Sequence, residues 1–470
     1  MRICVISGSP KGEDSITLQY VRFIEQAFPN HSFSVVHAGR DIRKMERHQV
    51  AWEEALAKIQ DSEGVLFATP VYFMLVPAQL KRFIELVFER DAASAFSQKY
   101  SAALTTSIHF FDETAHSYLH GISEDLGMHH AGFYSAHMQD LKCDDEQKRL
   151  LVFFSDFLDA ISEKRIIQRE FLPLPKVIPF YTPITQSAIV DTHGKRVVIL
   201  HDAEPGSDQE AMVRQMDAIF AGKATVADIR DSMMKGGCLG CCRCAFDNKC
   251  VYDDGFRDFW EEYVVPADIL IMAGTIRDRY VSATWKQWND RSFFNGHVPA
   301  LEGKQVGYMV EGPLAHLQNL REVLAARVMM GKANLAGIVT NETGDSDELD
   351  AAITALALQS VRYADEGYIS SPTFRAIAGR KLFRDEIWAH MRAIFQADDR
   401  YYRSHGYYDF PTSNYLQRVA TRAFSLFLAI PGVRKKVEKD LVSYMVRSTR
   451  ETIQNSRVLK EWRARHGLSG

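Results

Sequence analysis

The sequence predicts an α/β protein with two tandem doubly wound parallel sheets and a helical C-terminal extension. Apolar runs typical of buried strands alternate with amphipathic helical segments in the first half of the chain. The same pattern restarts after a proline-rich stretch, and only helical periodicity follows near the end. For 470 residues two or three domains are expected. We predict a first copy at 1–170, a linker at 171–194, a second copy at 195–385 and the extension at 386–470.

Composition and charge are those of an ordinary globular protein. A net charge of −4 indicates no general affinity for nucleic acid. The chain enters an apolar strand at Arg2 without a signal-peptide pattern, and no apolar run reaches the length of a membrane span. Together with clustered cysteines, these features predict a cytoplasmic, reducing location.

The first predicted strand, Arg2–Ser7, runs into a loop rich in glycine and hydroxyl groups, residues 8–17, which we call the phosphate loop. A helix follows, with Tyr20, Val21 and Ile24 at helical spacing. Free N–H groups, hydroxyls and the helix dipole at such a junction favour an anion. The loop matches neither the dinucleotide nor the Walker motif, and it suits a terminal phosphate monoester. An ordinary strand-to-helix turn is the alternative.

A second strand, 64–69, leads into Pro70-Val71-Tyr72-Phe73, and a helix is predicted to begin at Pro77. Both loops follow the carboxyl ends of strands, where open parallel sheets bind ligands. Tyr72 offers an aromatic ring to a flat ligand; a plain core aromatic is the alternative.

This pair of loops resembles the flavodoxin-like NAD(P)H-dependent FMN reductases over roughly the first 100 residues. The resemblance implies bound FMN with NAD(P)H as donor. It also implies a phosphate site of Ser9, Lys11, Ser15, Ile16 and Thr17, and an isoalloxazine site bordered by Pro70, Val71, Tyr72 and Phe73.

A histidine-rich segment follows a fourth predicted strand, Tyr100–Ser107. In the family the loop after this strand also touches flavin, which makes Ser107, Ile108 and His109 further candidates. The histidine spacings match no metal-ligand pattern. A helix over 146–164 is predicted to close the copy.

The second copy repeats the architecture with different loops. Residues 195–200 and 267–274 predict its first and third strands, and Lys286 matches Lys81. Asp202-Ala203-Glu204 replaces Gly8-Ser9-Pro10, and carboxylates there would repel a phosphate dianion. Alignment on the lysines places Arg277 opposite Tyr72. We expect no FMN in this copy; its arginines could hold another anion, a partner carboxylate or surface ion pairs.

Five of the seven cysteines lie in one segment of the second copy, residues 236–255, which we call the cysteine loop. The spacing Cys238-x2-Cys241-x2-Cys244-x5-Cys250 suits an iron–sulfur cluster or a zinc ion; a redox disulfide or free thiols are the alternatives. Cys242 could replace a ligand or be a spare thiol.

With the residues Val251-Tyr252-Asp253-Asp254 after it, this motif is similar to that of the iron–sulfur flavoproteins. The resemblance implies a [4Fe–4S] cluster on Cys238, Cys241, Cys244 and Cys250. We therefore expect a fused pseudo-dimer with FMN in the first copy and the cluster in the second, passing electrons between a donor and an acceptor. The helix N-terminus at Pro77 is expected to favour the reduced flavin. A binding protein with structural zinc, or a simple FMN reductase, is the alternative function.

The C-terminal segment is basic, with twelve Lys/Arg and four Asp/Glu from Arg418 onward. An amphipathic helix is predicted over 415–430. A packed appendage with a solvated basic face is one interpretation. Weak contact with an acidic electron carrier or an anionic membrane surface is the other. We expect small-molecule or protein electron partners and a homo-oligomer.

Overall fold

A computed structural model describes residues 1–176, 180–183, 188–342, 344–410, 415–428, 430–433 and 464. The chain forms two compact units, Met1–His405 and Gly406–Gly470. Both predicted sheets lie in the larger unit.

The first copy is a five-stranded, all-parallel sheet in the order β2-β1-β3-β4-β5. This is the strand order of the flavodoxin-like doubly wound fold. The strands are β1 Arg2–Ser7, β2 Ser32–Val36, β3 Gly64–Pro70, β4 Tyr100–Ser107 and β5 His129–His137. The helices are α1 Ile16–Ala27, α2 Ala38–Arg47, α3 Gln49–Gln60, α4 Ala78–Glu89, α5 Asp112–Asp125 and α6 Asp144–Ser162.

The second copy repeats this order as β7-β6-β8-β10-β11, with β9 added antiparallel to β8. Its strands are β6 Val197–His201, β7 Thr225–Asp228, β8 Ile269–Arg277, β9 Tyr280–Val281, β10 Gln305–Glu311 and β11 Asn334–Thr340. The helices from here on are α7 Asp208–Ile219, α8 Cys244–Asp247, α9 Phe256–Phe259, α10 Ala283–Arg291, α11 Gln318–Met330, α12 Ser346–Glu366, α13 Phe374–Glu386, α14 Gln396–Ser404 and α15 Tyr415–Leu428. The predicted fold class is confirmed.

The two copies meet through α4 and α10, whose apolar faces join one continuous core. At their centre Lys81 is fully buried. Its Nζ donates to Glu85 Oε1 at 3.0 Å and to the carbonyl of Arg277, in the other copy, at 2.8 Å. Glu85 in turn accepts the backbone N–H of Ala283, at the start of α10, at 2.7 Å.

The same contacts recur with the copies exchanged. Lys286 is fully buried, pairs with Asp290 and donates to the carbonyl of Tyr72 at 2.8 Å. Asp290 accepts the N–H of Ala78, at the start of α4, at 2.8 Å. Tyr72 lies nine positions before Lys81, and Arg277 lies nine positions before Lys286. Each lysine therefore bonds to the equivalent carbonyl in the opposite copy. This reciprocity is typical of an isologous dimer interface, and here it lies within one chain.

The tight turns beside these carbonyls are also equivalent. Phe73 and Met74 have φ of 45° and 67°, and Asp278 and Arg279 have φ of 48° and 64°. Left-handed backbone at two successive non-glycine residues is strained, and packing around it must hold it in place. Both copies keep this strain at the site where they touch.

The arginines of the second copy bind carboxylates of the first. Arg279 is buried, and its Nη2 donates to Asp125 at 2.8 Å and to the carbonyl of Leu172 at 2.7 Å. Arg277 lies 3.9 Å from Glu89. Arg279 therefore binds a carboxylate of the other copy in a buried position, whereas Arg277 and Glu89 form an exposed ion pair.

The described parts of the proline-rich linker contain neither helix nor strand, but they are packed. Tyr181 is buried, its hydroxyl bonds to Asp350 at 2.5 Å, and its backbone N–H donates to Asp208 at 3.0 Å.

Helices α13 and α14 belong to the larger unit. The predicted helix over 415–430 is observed as α15, with Leu416, Val419, Phe424 and Phe427 at least half exposed. Most of the basic tail, from residue 434 on, lies outside the described residues. Within the described part of the chain, none of the helices combines the length and apolar character that a membrane crossing requires.

We expect Asp290→Asn to lower the apparent free energy of unfolding by about 3–5 kcal/mol, because it leaves Lys286 buried without its countercharge. Glu366→Gln is the matched control. It removes the acid of an exposed i,i+4 pair with Arg362 and should cost no more than about 0.5 kcal/mol. Urea unfolding measures both; equal losses would show that the buried pair does not stabilise the interface.

Candidate flavin and cysteine site

The phosphate loop of the first copy presents buried hydroxyls at the N-terminus of α1. Ser9, Ser15 and Thr17 are buried, whereas Lys11 and Ile16 are exposed. Thr17 bonds to Thr106 at 2.6 Å, which ties the loop to the end of β4. Ser15 occupies the N-cap position but makes no side-chain capping bond. The first turn of α1 therefore keeps N–H groups that the capping side chain does not satisfy.

The backbone around the phosphate loop is closely packed, and one buried hydroxyl beside it has no partner among the described residues. A methyl group on Gly39, in the first turn of α2, would overlap the carbonyl of Gly8, so α2 packs directly on the loop. The hydroxyl of Ser7, at the end of β1, is buried without a hydrogen-bond partner among the described residues. A polar group left in this state favours an additional ligand or water at the site.

The equivalent junction in the second copy satisfies itself. Ser207 caps α7 by accepting the N–H of Glu210 at 3.1 Å, and Glu311 accepts the N–H of Gln209 at 3.4 Å. Asp202 accepts from Gln209 at 2.9 Å and from the indole of Trp285 at 3.0 Å. Side chains of the chain itself, including the carboxylates of Glu311 and Asp202, therefore bond to the residues at the start of α7.

The second loop of the first copy faces the other copy. Val71 donates to the carbonyl of Thr106 at 3.2 Å, and Tyr72 donates to the carbonyl of Leu75 at 2.7 Å, closing a tight turn. Pro70, Val71, Tyr72 and Phe73 are half-buried. The ring of Phe73 lies under the guanidinium of Arg327, 5.7 Å from its centroid, so this side chain contacts the second copy.

The loop after β4 contains an ordered histidine. His109 has a φ of 61°, and its Nδ1 lies 3.0 Å from Asp112. This hydrogen bond raises the pKa of His109. Burial raises the pKa of Asp112, but bonds from His109 and Ser135 outweigh it and hold that pKa at about 2. Sequence reasoning named His109 and missed Asp112, although the i,i+3 spacing was a usable signal.

The cysteine loop lies against the loop that contains Tyr72 and against α4 of the first copy. Gly240 has a φ of 61°, and a methyl group on it would overlap the hydroxyl of Tyr72. Gln79, on α4, donates to the carbonyl of Cys238 at 3.1 Å. Burial raises the pKa of Cys242, and the nearby charge of Lys11 opposes that rise. Tyr72 and the cysteine loop are therefore in direct contact.

All five cysteines of the loop are free thiols. Burial raises the pKa of Cys238 to about 12, although the N–H of Gly240 donates to its sulfur at 3.4 Å. Burial raises the pKa of Cys244 as well, and the charges of Cys238, Cys241, Cys242 and Cys250 raise it further. Cys241 is exposed. Thiols in this number and proximity are chemically suited to iron or zinc. Within the described ranges, no three His, Cys, Asp or Glu side chains already converge as a metal site.

The base of the cysteine loop is held by residues that sequence reasoning missed. The buried Arg291 donates to the carbonyl of Gly236 at 3.0 Å and to both oxygens of Asp254 at 2.9 and 2.8 Å. Its guanidinium also lies 4.3 Å from the ring centroid of Tyr252. Arg291 thereby connects the two ends of the cysteine loop. No local sequence motif predicts this role.

One expectation about the flavin is corrected. The N-terminus of α4, after Pro77, was expected to favour charge on the reduced flavin. The N–H of Ala78 instead donates to Asp290 of the second copy, because the start of α4 lies beside the last turn of α10. This helix end already has an anionic partner.

Residues 1–135 match the family model of NADPH-dependent FMN reductases. No curated protein matches the chain. Among solved structures, an NADH:FMN oxidoreductase (EMOB, apo form) is 19% identical over 33% of this chain and 87% of its own, with a TM-score of 0.29. The flavoenzyme NAD(P)H:acceptor oxidoreductase FerB from Paracoccus denitrificans is 18% identical over 34% and 97%, with a TM-score of 0.28.

An FMN-dependent NADH-azoreductase from Bacillus anthracis, solved with FMN, is 11% identical over 35% of this chain and 99% of its own, with a TM-score of 0.26. The family match supports a flavin-dependent NAD(P)H oxidoreductase of the FMN reductase type for the first copy. It stops before the cysteine loop.

We expect Gly240→Ala to destabilise the protein more than Gly222→Ala. Both glycines have left-handed backbone, with φ of 61° and 68°, so both changes carry a strain of about 1–2 kcal/mol. Only Gly240 abuts Tyr72; a methyl group on Gly222 meets nothing within 4 Å. Overpacking should add about 1–3 kcal/mol at Gly240, measured by urea unfolding. This excess should vanish in a Tyr72→Ala background; if it persists there, Tyr72 is not the residue in contact.

Proposed function

We propose that this protein is a flavin-dependent NAD(P)H oxidoreductase that binds FMN in its first copy and a [4Fe–4S] cluster in its second, and that it transfers electrons between them. The observation that carries the proposal is the position of the cysteine loop. It lies against Tyr72 and near Lys11, residues of the two loops that the family resemblance assigns to FMN.

The phosphate loop supplies the anion site. The N–H groups of the first turn of α1 and the buried hydroxyls of Ser9, Ser15 and Thr17 can donate to phosphate oxygens, and Lys11 adds a positive charge at the rim. In the second copy Glu311 and Ser207 already satisfy the matching helix end. This difference is why we assign FMN to the first copy alone.

The cysteine loop supplies four thiolates from Cys238, Cys241, Cys244 and Cys250. When bound, FMN accepts a hydride as two electrons and can release them singly, and an iron–sulfur cluster carries one electron at a time. The chain's own residues hold the two sites together. Gln79 bonds the loop to α4, and the glycine at 240 lets the loop backbone approach Tyr72.

Most residues beside the proposed flavin site would orient the ligand and take no part in proton transfer. His109 is the exception. Asp112 holds its Nδ1, and the side chain of His109 is about half exposed. The second ring nitrogen could then exchange a proton with a ligand bound at the end of β4.

The FMN assignment is tested by an acidic substitution at two equivalent helix caps. Ser15→Asp should weaken FMN binding at least tenfold, because a carboxylate would face the phosphate dianion. Ser207→Asp is the matched control and should leave FMN affinity unchanged. Aspartate is a good N-cap residue, so neither change should unfold its helix. FMN fluorescence titration measures both, and an equal loss in the two variants would contradict the assignment.

The cluster assignment is tested on protein purified anaerobically, with iron, sulfide, zinc and flavin quantified on one sample. Wild-type protein should contain iron and sulfide in equal amounts together with FMN. Cys238→Ser should lose iron and sulfide but keep FMN, because the phosphate loop is in the other copy. Cys143→Ser, an exposed cysteine outside the loop, should keep all three. Zinc without iron in the wild type would contradict the cluster and favour a structural metal.

A further inference from the structure

Helix α15 carries an exposed apolar face. Every side chain that the structure describes between residues 415 and 427 is exposed. With 3.6 residues per turn, the large apolar side chains of the helix lie together on about half of its circumference. Each of them is at least half exposed, and we call the set the α15 apolar face: Tyr415, Leu416, Val419, Phe424, Leu426 and Phe427.

The opposite side of α15 is polar, and its only charges are positive. Arg418 and Arg422 lie one turn apart on that side, next to two hydroxyl side chains. A further arginine and two lysines follow at 434–436, outside the described residues. Residues 411–437 thus contain five Lys or Arg and no Asp or Glu, although the whole chain has a net charge of −4. The segment is therefore cationic within an acidic protein.

A helix of this length needs a surface on which to pack. Isolated helices shorter than about 12–15 residues are marginal in water, and packing of an apolar face supplies most helical stability in proteins. Helix α15 has 14 residues, and its described side chains are all exposed. We therefore expect the α15 apolar face to be covered when the protein works.

The charge of the segment distinguishes between the candidate occupants. A second copy of the helix would bring the same cations close together, and like charges oppose such pairing. An acidic protein surface could bind the arginines but would leave the α15 apolar face in water. A membrane surface of anionic lipids satisfies both sides, because its headgroups attract cations and its acyl chains lie just beneath them.

The geometry excludes a crossing of the bilayer by this helix. At 1.5 Å per residue, α15 is about 21 Å long, whereas the hydrocarbon core is about 30 Å thick. Arginines on one side of the helix would also lie in hydrocarbon if it crossed. An orientation parallel to the membrane plane keeps these arginines at the headgroups.

We propose that α15 is an in-plane membrane anchor that inserts its apolar face between anionic lipid headgroups while Arg418 and Arg422 bind those headgroups. The basic residues at 434–436 add to the attraction. The chain is then a peripheral membrane protein. This inference is independent of the proposed function, since it uses neither the phosphate loop nor the cysteine loop.

The test is flotation of the full-length protein with lipid vesicles of two compositions. One contains equal parts of phosphatidylcholine and phosphatidylserine, and the other contains phosphatidylcholine alone. Wild-type protein should bind the anionic vesicles about tenfold more tightly or better, because each basic residue near an anionic surface adds to the affinity. High salt should weaken this binding by screening the charges.

The apolar face is tested by Phe427→Glu. This change should weaken binding to anionic vesicles about tenfold or more, because a buried phenylalanine is lost and a negative charge is added. Glutamate forms helices better than phenylalanine, so the change does not disfavour α15. Phe374→Glu is the matched control. Phe374 begins α13 in the larger unit and is 83% exposed, and its substitution should leave flotation unchanged.

The positive charges are tested by the double change Arg418→Gln and Arg422→Gln. It should weaken binding to anionic vesicles about tenfold and leave the weak binding to phosphatidylcholine unchanged. The matched control is the double change Arg214→Gln and Arg362→Gln, which removes two exposed arginines from α7 and α12. Both variants have the same net charge, so a difference between them locates the effect in α15.

Three results would overturn the inference: wild-type protein that floats with neither vesicle, Phe427→Glu protein that floats like wild type, or an equal loss in the two double-arginine variants. Sedimentation equilibrium without vesicles tests the other occupant. If Phe427→Glu lowers the oligomeric mass and Phe374→Glu does not, the α15 apolar face joins two copies, and the membrane anchor is overturned. Flavin and iron content of the same samples tests the proposed function separately.

Discussion

Two buried lysines, each bonded to a carboxylate one helical turn away and to a carbonyl of the opposite copy, hold this protein's two sheets together. Charges removed from water are costly, and the cost is offset only when every polar atom finds a partner in good geometry. Here each carboxylate also caps the opposite helix, through the N–H of Ala78 or Ala283. A shift of one helix along the other would break both sets of bonds at once. The interface thus specifies a single arrangement, on which the relation of the cysteine loop to Tyr72 depends.

The two copies differ at the N-terminus of the first helix of each copy, α1 or α7. The first leaves the N-terminus of α1 without a capping side chain, surrounded by buried hydroxyls. The second fills the equivalent place with Ser207 and Glu311. Similar backbone geometry therefore leaves the helix end without a side-chain cap in one copy and forms a self-satisfied junction in the other. The two copies differ in the side chains at the ends of their strands. Their sheets and their interface helices have the same arrangement.

The cysteine loop uses this asymmetry. It belongs to the second copy, yet it rests on the first, through the contact of Gly240 with Tyr72 and the bond from Gln79 to Cys238. Its ends are closed by Arg291, and its middle is held from the far side by His297. The loop has little regular structure, but contacts at both ends and in its middle hold it in place. Such contacts are needed if its sulfurs are to lie at a defined distance from a neighbouring group.

The sequence by itself determined the fold class, the repeat and several of the strands and helices, together with the residue types of the loops, because these follow from local periodicity, spacing and residue type. Strand bounds at Arg2–Ser7 and Tyr100–Ser107, and the equivalence of Lys81 with Lys286, were predicted in this way and observed. Only the tertiary structure decided which groups meet. The N-terminus of α4 is predicted to favour the reduced flavin, but its N–H at Ala78 binds Asp290, and His297 reaches Cys244 across 53 residues. Such contacts depend on how helices pack. Local sequence patterns do not predict which residue far along the chain will be the partner.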